Sequence, residues 1–295
     1  MLDVICAGQA VLDCITRGRE AEPYRENVYR AETIRLHTGG DAVNESVALA
    51  GMGFRTAIVC GLGTDMAGDI IAAAVSAAGV DTGRIRRLDY DTPVANIQVA
   101  EDGSRISVSS RATRLEGYRI APEELTGARL ISLASLFRPP LDDPELLREI
   151  AGAAGSRGAI VCADTKLPLT GPVGLRDFAG VLPLIDYIFP NEKEAAYYTG
   201  ESSLPAMAAA FRRAGVGTVV VKTGPEGCFV SGKGEEFALP AVPVGHVVDT
   251  TGAGDNFAAG FIAGILRGAS LRECAALALR QAARAITHTG GGSGL

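Results

Sequence analysis

The chain has 295 residues and a mass of 30.5 kDa, enough for one large α/β domain or two medium ones, with no need of disulfide staples. A net charge of -6 and a pI near 5.2 argue against a nucleic-acid footprint, while 47% hydrophobic and 21% charged residues suit an ordinary globular protein. Six cysteines (Cys6, Cys14, Cys60, Cys162, Cys228, Cys274) stand singly, with no C-x-x-C pair and no His or Cys at metal-ligand spacing, and read as reduced core residues.

The N-terminus runs straight into an apolar strand, Val4 to Ala7, without a basic leader. No apolar run is long enough to span a bilayer, so the expected place is the cytoplasm, away from membranes. Residues Asp13 to Leu36 are polar and irregular, and a helix from Asp41 to Met52 follows the turn Gly39-Gly40. The strand Thr56 to Cys60 and the helix Asp65 to Ala78 come next. Thr92 to Ala100 and Ser104 to Ser110 alternate around Glu101-Asp102-Gly103, a hairpin signal. From there strands at Leu130 to Leu133, Ala159 to Ala163, Tyr187 to Phe189 and Thr218 to Val221 alternate with helices at Pro144 to Ala154, Glu192 to Thr199 and Leu204 to Ala214. Two long Ala-rich helices, Gly252 to Arg267 and Leu271 to Thr287, finish the chain before a glycine-rich end, Gly290 to Leu295, read as a frayed terminus or a closing loop.

Short apolar runs alternating with helices imply a mostly parallel sheet buried on both faces, in a three-layer α/β/α arrangement formed by a single domain over residues 1 to 295. Residues 13 to 36 and 92 to 110 break that alternation. They are expected to form a small β lid inserted in the domain and covering a site, although periodicity alone equally allows edge strands of the main sheet. A lid sheet has an exposed apolar face, so a homodimer in which two lids cover each other is expected.

The chemistry concentrates in Asp249-Thr250-Thr251-Gly252-Ala253-Gly254-Asp255-Asn256-Phe257. Gly252, Ala253 and Gly254 let successive backbone N–H groups converge at a helix N-terminus, which favours a phosphate-like anion. Asp255 in the first turn either complements the helix dipole or, beside a phosphate cradle, deprotonates an attacking hydroxyl. Were that anion a triphosphate, it would require a cation bridging its oxygens, and magnesium would be expected.

This run resembles the C-terminal D-T-x-G-A-G-D signature of the ribokinase-like (PfkB) family of carbohydrate kinases. Gly39-Gly40-Asp41-Ala42-Val43-Asn44 is similar to the family's sugar-binding G-G-x-x-x-N turn, and Asn191-Glu192-Lys193-Glu194 to its N-x-x-E motif. Taken alone, these two read as a turn with a helix cap and as a solvated helix start. The resemblance implies a ribokinase-like fold and transfer of the γ-phosphoryl group of ATP to a hydroxyl of a small sugar, with Asp255 as base and the amides of Gly252, Ala253 and Gly254 as anion hole. It further implies that Asp13, Gly39, Gly40 and Asn44 bind sugar. Lys222, Thr223, Gly224 and Gly227, with Asn191 and Glu194, would meet the nucleotide, although Lys222 to Gly227 is equally a β-turn between strands. Glu194, Asp249 and Thr251 would hold metal ions, including potassium through Asp249, Thr251 and residues 285 to 290.

Ribokinases proper carry a pocket glutamate where this chain reads Ser135-Leu136-Phe137-Arg138-Pro139, which argues against ribose. An adenine-facing Asn is replaced by the neighbourhood of Leu279, Arg280 and Gln281. Arg111, Arg114 and Arg138 are candidates for a phosphorylated substrate and equally ordinary surface charges. Asp164-Thr165-Lys166 would face the cleft, as substrate contacts or as a strand-end ion pair. A fructokinase- or sugar-acid-kinase-like enzyme is thus expected. The alternatives are a nucleoside kinase, with Phe137 to stack the base, and a catalytically silent sugar or nucleotide sensor.

Overall fold

In the computed structural model the apolar runs pair into a nine-stranded sheet, and they do so because most of them can be buried on both faces. The structure describes residues 1–20, 22–100, 105–110, 118–169, 171–288 and 290. In chain order the elements are β1 (Leu2–Ala7), β2 (Val11–Arg19), β3 (Ala31–Gly39), α1 (Asp41–Gly51), β4 (Thr56–Gly63), α2 (Met66–Ala77), β5 (Ile85–Leu88), β6 (Val94–Val99) and β7 (Arg105–Ser109). They continue as β8 (Ala128–Leu136), α3 (Pro144–Gly155), β9 (Ile160–Thr165), β10 (Tyr187–Ile188), α4 (Glu192–Thr199), α5 (Leu204–Arg213), β11 (Thr218–Lys222), β12 (Cys228–Gly232), β13 (Glu235–Leu239), α6 (Ala253–Leu266) and α7 (Leu271–Ala285).

The main sheet runs β13-β12-β11-β10-β9-β8-β1-β4-β5. From β5 to β11 every pairing is parallel, and β12 and β13 add an antiparallel edge. Period-two alternation in β1 divides the core. Ile5 and Ala7 face a cluster with Leu146, Leu147 and Ile150 of α3 and Phe211 of α5, whereas Val4 and Cys6 face Phe257, Phe261 and Ile262 of α6 and Cys274 and Ala275 of α7. Helices on both faces complete the three layers. Two strands of this sheet escape a reading based on apolar runs, because β5 carries Arg86 and Arg87 and β13 begins with Glu235 and Glu236, as edge strands commonly do.

A second, four-stranded sheet has the order β3-β2-β6-β7. β2 pairs antiparallel with β3 and parallel with β6, placing Asp13 between His37 and Ala95. β6 and β7 pair antiparallel around residues 101–104, so the hairpin turn expected there lies outside the described residues. On one face, cross-strand register lines up Leu36, Cys14, Asn96 and Val108, then Ile34, Thr16, Gln98 and Ile106. Ile34, Leu36, Ile106 and Val108 are all exposed there. The opposite face carries Asp13, Ile15 and Arg17.

At the C-terminal end Gly290 is buried and donates its N–H to Asp249, whereas residues 291–295 of the expected frayed end or closing loop lie outside the described residues. Among the described residues no helix is long and apolar enough to cross a membrane.

Candidate functional site

Parallel strands direct their C-terminal ends to one edge of the sheet, where open α/β folds bind ligands. Here those ends belong to β1, β8, β9 and β11. They supply Gln9, Ser135, Lys166 and Lys222, with the N-termini of α1 and α6 placed above them. Asp13, Gly40, Asn44, Asn191, Lys222, Gly224, Thr251, Gly252, Gly254 and Asp255 line one cleft of about 410 Å³, together with Asp41 and Lys166.

The acceptor side is built on a close backbone approach. Gly40 caps α1 with φ 91°, and a Cβ there would lie 2.5 Å from the Gln9 carbonyl, so only glycine brings the helix this close to the end of β1. Gly39 does the same for a side chain, since a Cβ there would run into Asp13 Oδ2. Asp13 is thereby enclosed, and burial, aided by the negative charges of Asp249, Asp255 and Asp41, raises its pKa to about 6. Such a folded-state pKa means that the neutral form is favoured below about 6 and the carboxylate above it. If ionised Asp13 accepts bonds from acceptor hydroxyls, KM for the acceptor should rise up to roughly tenfold per unit as pH falls below that pKa. Asp13→Asn should flatten the acidic limb of a KM–pH profile, and an unchanged limb would remove Asp13 from the acceptor site.

The catalytic side follows from α6. Gly252 caps this helix in the left-handed conformation (φ 71°), with the Ala253 N–H turned back to the Thr250 carbonyl at 3.3 Å and Gly252 and Gly254 lining the cleft at the helix N-terminus. Asp255, in the first turn, is almost fully buried. Its Oδ2 accepts a hydrogen bond from Asn44 Nδ2 at 2.6 Å, and its Oδ1 lies 3.3 Å from Lys166 Nζ. Burial pushes the Asp255 pKa up, but Lys166, the Asn44 bond and Lys222 more than offset this and hold it below the ordinary carboxylate value. An ionised carboxylate at a helix N-terminus suits a proton acceptor beside an anion. Asn44 lines the cleft, and its Oδ1 is buried with no partner among the described residues, which leaves one hydrogen-bond acceptor to spare.

Lys166 links both halves of the site, for its Nζ also lies 3.0 Å from Asp41 Oδ1. Burial alone would lower its pKa, yet the surrounding Asp41, Asp255 and Asp164 raise it well above the usual lysine value. The strand-end pairing of Asp164 with Lys166 is not what forms. Asp164 is bonded instead to Lys222 Nζ at 2.6 Å, reached across the short β10, and this frees Lys166 for Asp41 and Asp255. Lys166 lies in the cleft, as expected for the end of β9, whereas Asp41 was not assigned a role from the sequence. The signal for Lys166 was a lysine just past the C-terminal end of a buried strand.

A second cavity, of about 620 Å³, shares Lys222, Gly224 and Gly254 with the first. Pro225, Gly227, Val242, Val244, Val247, Thr250, Ala253, Phe257, Leu279, Ala282, Ala283 and Ile286 contribute to its walls. This shape suits a flat heterocycle buried on apolar side chains, with its phosphates directed at the start of α6. Of the trio Leu279, Arg280 and Gln281, Leu279 alone faces this cavity. Thr223 lines neither cavity, and its N–H closes the turn onto the Gly227 carbonyl at 2.9 Å.

The expected cation ligands divide. Glu194 accepts from Asn191 N–H at 2.9 Å and from Thr165 Oγ1 at 2.8 Å, as the capping box of α4, while Asn191 lines the cleft. Close by, the buried Asp164 Oδ2 has no partner among the described residues. These groups suit a magnesium ion that arrives with the triphosphate and takes one or two carboxylates from the protein. Asp249 and Thr251 do not suit it, because Asp249 Oδ1 accepts both the N–H and the hydroxyl of Thr251, at 2.9 and 2.8 Å. Of the arginine candidates, Arg138 donates to the Leu167 carbonyl at 2.7 Å, and Arg111 and Arg114 lie outside the described residues. Phe137 is buried against Phe178 and Tyr198, where it cannot stack on a ligand base.

A family model described as pfkB family carbohydrate kinase matches residues 1–295. The chain is 32% identical over 266 residues to a ribokinase of Haemophilus influenzae, covering 88% of this chain and 83% of that protein. It is 30% identical over 257 residues to a cytidine kinase of Thermococcus kodakarensis, covering 85% and 88%. Among solved structures, Arabidopsis thaliana ribokinase complexed with ribose and ATP superposes with a TM-score of 0.84 at 24% identity, covering 100% of this chain and 95% of that one.

Proposed function

Because the chain belongs to the pfkB family of carbohydrate kinases, we propose that it transfers the γ-phosphoryl group of ATP to a hydroxyl of a free, uncharged sugar such as a ketohexose. The observation that carries this reading is the position of Asp255, buried in the first turn of α6 and lining the same cleft as Asp13, Asn44, Gly252 and Gly254. The acceptor hydroxyl gives its proton to Asp255 as its oxygen bonds to the γ-phosphorus, and the bond from that phosphorus to ADP breaks. The amides at Gly252, Ala253 and Gly254 meet the charge that develops on the transferred group. Magnesium supplies charge neutralisation on the triphosphate, with Asn191, Glu194 and Asp164 the residues to hold it.

Several features favour an uncharged acceptor over a sugar acid or sugar phosphate. Asp13, Asp41 and Asp255 converge on the pocket, and both lysines lining it, Lys166 and Lys222, are already paired with carboxylates. The nucleoside-kinase reading has support in the cytidine kinase relative, but Phe137 is buried and, among the described residues, no aromatic side chain lines the acceptor pocket. A silent sensor would have no need of an ionised Asp255. The test is an ADP-release screen over pentoses, hexoses, sugar acids, sugar phosphates and nucleosides with magnesium and ATP. Turnover of a neutral hexose is expected, and a screen in which no hydroxylated acceptor releases ADP above the blank would sink the reading.

The second sheet is proposed to act as a lid, because its Asp13 reaches the acceptor pocket. Its outer face, with exposed Ile34, Leu36, Ile106 and Val108, supports a homodimer in which two lids cover each other. Light scattering at micromolar concentration should give twice the chain mass, and Leu36→Asp should give a monomer. A wild-type monomer would refute this arrangement. A cytoplasmic location is supported by the free, mostly buried cysteines.

A further inference from the structure

We propose that the Arg17 guanidinium is the resident cation of the loop leading into α6, so that turnover requires no monovalent cation and Arg17 acts as a positioning residue for the anion hole. The proposal rests on the kinase reading above. Family resemblance assigns this place to potassium, held by Asp249, Thr251 and residues 285 to 290, but among the described residues the Asp249 carboxylate and the Thr251 hydroxyl do not suit it. A hard cation needs oxygen lone pairs turned towards it, and a carboxylate offers about four. Asp249 Oδ1 accepts the N–H of Thr251 at 2.9 Å and its hydroxyl at 2.8 Å. Asp249 Oδ2 accepts the Gly290 N–H at 3.1 Å and lies 3.5 Å from Arg17 Nη2. The same Nη2 donates to the Val248 carbonyl at 3.2 Å. The carboxylate and a neighbouring carbonyl thus already face a positive charge that the chain supplies itself.

The pair lies in a shielded place, with the Arg17 side chain 28% and the Asp249 side chain 4% exposed, so its charges are screened less than those of a surface pair. Its position gives it a purpose. Asp249 to Gly252 lead directly into α6, and Arg17 reaches Val248 and Asp249, at the start of that loop, from β2 of the other sheet. A planar guanidinium can bridge a carboxylate and a carbonyl at once, which a compact ammonium does less well. Without Arg17 the Asp249 carboxylate would lose its counter-charge and the loop its anchor to β2. Displacement of an anion hole by roughly 1 Å is enough to cost about a hundredfold in rate.

The test compares kcat and melting temperature in choline, sodium and potassium chloride at matched ionic strength, for the wild type and for Arg17→Ala. The wild type should give the same kcat within about twofold in all three salts, and a melting temperature that does not respond to potassium. Arg17→Ala should lose about ten- to a hundredfold in choline and recover part of it on addition of potassium or millimolar guanidinium chloride. A wild type that speeds up severalfold in potassium over choline overturns the proposal, as does an Arg17→Ala enzyme that responds to neither cation. If the variant does not fold, the wild-type salt series decides by itself. If no acceptor is phosphorylated, the kinase reading fails separately and the melting series still decides. Stabilisation of the wild type by potassium alone overturns the proposal, and stabilisation confined to Arg17→Ala supports it.

Discussion

Asp255→Asn is expected to lower kcat by about 10² to 10⁴ while acceptor and ATP affinities stay close to those of the wild type, because a proton acceptor contributes chiefly in the transition state. The substitution keeps size and leaves a carbonyl oxygen for the Asn44 Nδ2 bond, but it removes the anion that faces Lys166. If Asp255 served only the helix dipole, the change would cost about 0.3 to 1 kcal/mol of stability and spare turnover. Measuring kcat, ligand affinity and melting temperature on the same preparation separates the two. A folded variant keeping about half its activity would refute the base assignment.

Lys166→Met should come next in size, with a loss of roughly 10- to 100-fold in kcat at neutral pH and a displaced pH profile, since an opposite charge lowers a carboxylate pKa by about 1 to 3 units. Lys166 is shared between Asp41 and Asp255, so its removal leaves two buried carboxylates facing each other without their common counter-ion. Like charges in such a place cannot both persist, and one acid takes up a proton. The sign follows from the wild-type site, where Lys166 is the largest of the influences that lower the Asp255 pKa against its burial. Without the lysine that pKa rises, so the acidic limb of kcat/KM should move to higher pH. Lys166→Arg should restore most of the limb's position. A Lys166→Met enzyme with a wild-type limb would reduce the lysine to a packing role.

Much of the fold was legible because buried parallel strands leave a strong imprint. Runs such as Val4 to Ala7 and Ala57 to Cys60 are apolar at every position, and Ala-rich helices separate many of them. β5 and β13 left no such imprint, since edge strands carry charge for reasons unrelated to the core. At the site, Asp255 announced itself through local chemistry beside a glycine-rich helix start, whereas Asn44 was legible through the family resemblance alone. Lys166 was legible as a cleft-facing residue, but its pairing with Asp41 was not, because that contact is made across the fold. The expected ion pair between Asp164 and Lys166 failed for the same reason, as proximity in sequence says nothing of a partner at the end of β11. Asp249 and Thr251 were legible as oxygen donors. Their engagement with each other becomes visible only in the folded loop.

The strand β2 places Asp13 and Arg17 on one face, the first in the acceptor pocket and the second at the Asp249 carboxylate, while the opposite face looks outward. Side chains alternate with a period of two, so inserting or deleting one residue between them would turn one of the two away. The spacing therefore acts as a gauge: lineages or designers altering acceptor preference here are restricted to exchanging side chains at constant strand length. Loops bordering the pocket carry no such restriction, and length variation should accumulate there instead.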